Sequence, residues 1–72
     1  MTRTKAITIK TCEELGELIQ ILCKATNDHI REKEIEHEIG DVLGCISLLI
    51  KEMNLDKTHI QDTKEKRIRK HS

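Results

Sequence analysis

Five carboxylates carry the spacing in this chain that chemistry could use: Glu13, Glu14 and Glu17 in the run EELGE, and Glu38 and Asp41 in EIGD. Residues three apart share one face of a helix, so Glu14 with Glu17, and Glu38 with Asp41, can each present two oxygens to one point. At about 100° per residue, Glu14 and Glu17 lie near −40° and −100° from Leu18, and Glu38 and Asp41 lie at the same angles from Val42. Both pairs therefore occupy the same-handed rim of an apolar seam. If the two helices pack antiparallel across a short turn, equal-handed rims emerge on one side. A fold-back centred between Asn27 and Asp28 would level Glu17 with Glu38 and Glu14 with Asp41. Four acids crowded on a half-buried rim either hold protons above the usual carboxylate range or take up a cation. Oxygen donors without cysteine suit a hard ion, Mg²⁺ with Mn²⁺ as a substitute, and magnesium draws its remaining ligands from water and phosphate. A phosphate-bearing substrate is the expectation. Glu14 has a competing explanation as the capping-box partner of Thr11, and Glu13 points elsewhere on the helix.

The elements that must position these acids are helices. The chain has no proline and only three glycines, and from Leu15 onward the apolar residues recur at helical spacing. Thr11 and Glu14 predict a helix over about 12–26, striped by Leu15, Leu18, Leu22 and Ala25. Thr26 to His29 supplies side chains that favour a turn. A second helix is expected over about 31–53, with Ile35, Ile39, Val42, Ile46, Leu49 and Met53 in a heptad-like seam. Leu43, Cys45, Leu48 and Ile50 make positions 42–50 apolar on nearly every side, and a helix apolar all round is buried all round. Asn54 to Lys57 reads as a break, and Thr58 with Gln61 as the start of a polar third helix or tail. The expected architecture is a single all-α domain over residues 1–72: an arm or short strand at 1–10, an antiparallel helical hairpin at 11–54, and a basic helix or tail at 55–72.

Composition bounds the rest. Hydrophobic residues are 36% of the 72, and Phe, Tyr and Trp are absent, so burial within one chain supplies little stability and self-association into a four-helix-type bundle is expected. The net charge is zero but segregated: residues 13–52 hold ten acids against four bases, while residues 1–12 hold three bases and no acid, and residues 53–72 six bases against three acids. An overall balance of this kind does not favour nucleic acid as a partner. No apolar run is long enough to span a bilayer, and three cysteines without a C-x-x-C pair indicate neither a disulfide framework nor a zinc knuckle, so a reducing cytoplasm is the expected compartment. The four histidines show no ligand spacing and none is assigned a role. Glu32, Glu34 and Glu36 alternate with Arg31, Lys33 and His37 as a solvated face.

EELGELIQ, with 20 residues between its Glu17 and the Glu38 that opens EIGDVLGCISLLI, resembles the all-α nucleoside triphosphate pyrophosphohydrolases of the MazG-like superfamily, whose signature is E-E-x-x-E, a spacer, then E-x-x-D; the similarity covers about residues 12–53. The resemblance implies that Glu14, Glu17, Glu38 and Asp41 bind Mg²⁺. It implies cleavage of an NTP or dNTP between the α and β phosphates, giving a monophosphate and pyrophosphate, in a homodimer or homotetramer of helical bundles. Glu14 and Glu38 are the candidates for the general base. Phosphate contacts are expected from the run KEKRIRK, with Lys64 and Arg67 as the candidates; the family's later asparagine and its aromatic residues have no counterpart here, which leaves the base open. The competing class is a non-enzymatic dimeric helical module whose basic tail touches nucleic acid.

Overall fold

A computed structural model describes residues 2–27 and 31–72 of the chain. They form three α-helices, α1 (Arg3–Asn27), α2 (Glu32–Glu52) and α3 (Lys57–Lys70), and no strand occurs among the described residues. No helix is long and apolar enough to cross a membrane.

Helix α1 begins nine residues earlier than its stripe predicts, and the expected arm or strand at 1–10 is helical from Arg3 onward. The correction has a local cause. Thr2 Oγ1 accepts from Lys5 N at 3.1 Å, and Thr2 O accepts from Ala6 N at 3.0 Å, so Thr2 is the residue that caps the helix. Thr11 lies inside α1, where its hydroxyl donates to Ile7 O at 2.7 Å, as Thr8 donates to Thr4 O at 2.8 Å. Such back-bonding satisfies a mid-helix threonine without ending the helix. The expected capping box of Thr11 and Glu14 does not form.

Helix α2 agrees with its predicted span to within one residue at each end. Glu32 and Glu34 stand in its first turn and Lys51 in its last, each of the sign that the helix dipole favours. It stops because Asn54 takes a left-handed φ of 51°, which asparagine tolerates, while Leu55 N donates back to Ile50 O at 3.0 Å. Helix α3 starts one residue before Thr58, on Asp56, whose carboxylate accepts from His59 N at 3.1 Å. The predicted turn at 26–29 lies partly outside the described residues.

Extensive contact joins α1 to α2, whereas α3 makes only marginal contact with either. Arg3 Nε donates to Glu52 Oε1 at 2.7 Å, tying the first turn of α1 to the last turn of α2. The molecule is flat, 39 × 35 × 15 Å. Burial is correspondingly thin: Val42 is the one buried hydrophobic residue among those described, and Leu15, Ile19, Leu22, Ile39, Leu43 and Leu48 are exposed. The expectation that positions 42–50 are covered on all sides is not met within one chain, because α1 can cover only one flank of α2.

Candidate metal centre

The three most buried described residues are Thr11, Glu14 and Val42, and two of them are polar. Glu14 is 6% exposed. Since Thr2 caps α1, capping does not explain that carboxylate, and its position facing α2 is a matter of helical phase alone. Glu17, one turn further on, is exposed; Glu38 and Asp41 on α2 are half-buried.

The four acids fall into two overlapping groups. Glu14, Glu17 and Glu38 each bring a carboxylate oxygen within 4.8 Å of the others, and His37, Glu38 and Asp41 do the same, so Glu38 belongs to both. Glu14 Oε2 and Glu38 Oε2 are buried with no hydrogen-bond partner. An unpaired buried carboxylate oxygen is costly. The strain registers on Glu38, whose carboxyl is held above the usual carboxylate range: loss of water disfavours its charge first, then the charge of Glu17 and a hydrogen bond with it, then Asp41 and Glu14. Two positive or polar groups flank the cluster, each one helical turn from the acid it meets. Lys10 Nζ lies 3.1 Å from Glu14 Oε1 and 3.8 Å from Glu13 Oε2, and His37 Nε2 lies 3.2 Å from Asp41 Oδ2.

Lys10 and His37 carry no role in the sequence reading, which places His37 on a solvated face. Their i,i+4 spacing to Glu14 and Asp41 is the signal available for both. The remainder of that face behaves as expected, with Glu32, Glu34 and Glu36 exposed and Arg31–Glu34 and Lys33–Glu36 paired along the helix. Lys64 and Arg67 are exposed on α3, where Arg67 Nη1 lies 3.3 Å from His71 Nε2. Among the described residues no ion pair or hydrogen bond connects α3 to the acidic cluster, so the chain by itself does not bring these two bases to it.

The donor set is oxygen-rich, crowded and short of hydrogen bonds, which fits a hard divalent cation. A cation would satisfy both orphaned oxygens and relieve the repulsion centred on Glu38. Set against protein-family models, curated proteins and solved structures, the chain matches none of them.

Proposed function

We propose that this protein is a Mg²⁺-dependent nucleoside triphosphate pyrophosphohydrolase of the MazG-like type, with Mn²⁺ as a substitute ion. The observation that carries the reading is Glu14: a carboxylate withdrawn from water, with one oxygen unpaired, grouped with Glu17 and Glu38. Glu14, Glu17, Glu38 and Asp41 would hold the ion, which when bound supplies charge neutralisation at phosphate oxygens. The protein's own part is positioning and proton transfer. Glu38, with Glu14 as the alternative, would take the proton from a water whose oxygen bonds to the α phosphorus as the bridging oxygen leaves with pyrophosphate. Lys64 and Arg67 would contact phosphate.

In this reading α1 and α2 are the arms of an antiparallel hairpin, and further copies complete a helical bundle. The Arg3–Glu52 pair and the Glu17–Glu38 approach support the hairpin, since both are equidistant along the chain from the point between residues 27 and 28. The assembly is supported by area. A finished monomer of 8.4 kDa exposes about 4,600 Å², roughly 1,500 Å² less than the 6093 Å² of this chain. A standard interface takes about 800 Å² from each partner, so two such interfaces would bring the chain to an ordinary surface. For Lys64 and Arg67 to reach phosphate at the cluster, a neighbour's α3 would have to supply them, since no ion pair or hydrogen bond links the chain's own α3 to it among the described residues. The cytoplasm is the compartment proposed.

The test is direct. Incubation with mixed NTPs and dNTPs plus Mg²⁺ should yield monophosphates and pyrophosphate, and no release of either would refute the activity. The detached, basic α3 favours one second reading, a helical module that touches nucleic acid. Salt-sensitive nucleic-acid binding without turnover would select it.

A further inference from the structure

Among the described residues, Lys10 is the one ammonium that ion-pairs with the acidic cluster. Lys10 reaches Glu14 along α1 and lies 3.1 Å from its Oε1, close enough to donate a hydrogen bond to it, while Glu14 Oε2 is left buried and unpartnered beside Glu17 and Glu38. Thus one carboxylate is shared between an ammonium and the centre of the cluster. We propose that Lys10 is a built-in counterion of this site, neutralising Glu14 from its Oε1 side while Oε2 faces the cluster, so that a divalent ion must compete with it for that carboxylate. The proposal rests on the cation reading of the cluster and adds to it a residue that sets the affinity.

The physical case has two parts. Without Lys10, the most buried acid among the described residues would have no positive partner there, and the described cluster would hold only like charges along its α1 side. Lys10 therefore keeps the unloaded site tolerable. Its side chain is 61% exposed and rides on a flexible four-carbon stem. An i,i+4 pair of that kind is weak, so a dication can displace the ammonium, which then swings into water. The cost to the metal is repulsion. A single charge about 6 Å from a dication, in a water-like dielectric and physiological salt, lowers affinity by about threefold to tenfold.

Removing Lys10 should accordingly tighten metal binding, which is the opposite of what damage to a positioning residue would do. The experiment is Mn²⁺ binding to the full chain, read from the electron paramagnetic resonance signal of the free ion, for wild type, Lys10→Met, Lys10→Gln, Lys10→Arg and Lys70→Met. Far-UV circular dichroism confirms helicity for each. Lys10→Met and Lys10→Gln should bind about threefold to tenfold more tightly than wild type. Lys10→Arg, which keeps the charge, and Lys70→Met, which removes an equal charge at the far end of α3, should bind like wild type. Wild-type binding with Lys10→Met and Lys10→Gln no tighter would overturn this proposal and leave the metal centre standing. Absence of Mn²⁺ binding by wild type would overturn the cation reading itself, and this proposal with it.

Discussion

Leu43→Asp separates a lone chain from an assembling one. Leu43 is 58% exposed on α2, inside the segment that is apolar on nearly every side. If the single chain is the working molecule, the substitution costs about 0.5 kcal/mol in helix propensity and about 1 kcal/mol in the partial burial that Leu43 already has. If a second copy covers this face, a carboxylate is forced into an apolar contact without a partner, at several kcal/mol. A loss of about 2.7 kcal/mol is already a hundredfold in the dissociation constant. Sedimentation velocity from about 1 to 100 μM, with helicity followed by circular dichroism, should show wild type associating and Leu43→Asp at least a hundredfold weaker. Ile68→Asp provides the comparison, because Ile68 is 54% exposed on α3 and is expected to change stability by no more than about 0.5 kcal/mol. A wild type that stays a folded, helical monomer over the whole range, or a Leu43→Asp variant that associates as wild type does, would refute the reasoning from area.

The other predictions concern the cluster and its surroundings. Asp41→Asn should lower metal-dependent pyrophosphate release by at least about a hundredfold in kcat/KM, equivalent to about 2.7 kcal/mol, and leave the metal-free fold at least as stable, since one like charge is gone; unchanged turnover removes Asp41 from the mechanism. Because the folded protein holds the Glu38 proton more tightly than an unfolded chain does, the stability linked to it is complete below pH 4.5 and is lost as pH rises through the elevated value. Thermal melts of metal-free protein should therefore fall with rising pH across that window, less steeply in Glu38→Gln, and equal slopes in the two would contradict the assigned strain. Gly40→Ala should raise stability by up to about 1 kcal/mol, because a Cβ there meets nothing within 4 Å; a lower melting temperature would reveal a neighbour packed against it. Lys64→Met with Arg67→Met should raise KM for the triphosphate while leaving Mn²⁺ binding intact, and an unchanged KM would free α3 from any part in substrate binding.

What the sequence made legible follows from how each feature arises. The extent of α2 could be read because its apolar period runs unbroken from Ile35 to Met53, and periodicity is a local property. The start of α1 could not, since Thr4, Ile7, Thr8 and Ile9 are indifferent helix formers and Thr11 with Glu14 imitates a cap. Thr2 performs the capping, and no periodic stripe marks it. The approach of Glu17 to Glu38 was accessible from helical phase and chain length together, both of which are simple geometry. Lys10 and His37 were harder: which of several neighbours a long or planar side chain meets is decided by packing. Burial was the least legible quantity, because positions 42–50 announce a need for cover without saying what supplies it.

Where burial does occur argues for how the molecule is organised. A small domain built for stability places its apolar residues at the best-covered point of the helix contact. Here that point holds Thr11, Glu14 and Val42, with Asp41 next in sequence to Val42, while leucines and isoleucines lie exposed on both helices. Thr11 spends its hydroxyl on Ile7 O and asks nothing of α2. Glu14 is thus the described residue for which the α1–α2 contact is most costly, and among the described residues Lys10 is the cation that compensates it. An arrangement that gives a carboxylate one of the three buried positions among its described residues is strained in two ways, through crowded charge and through uncovered apolar surface. In the function proposed above, a cation would answer the first deficit and a second copy the other. Both act on α2 within positions 38–50, so ion binding and association should reinforce each other: Mg²⁺ should lower the concentration at which wild type assembles, and should leave the residual association of Asp41→Asn unaffected. Sedimentation with and without Mg²⁺ measures this coupling, and equal association of wild type in both conditions would show that the two deficits are answered independently.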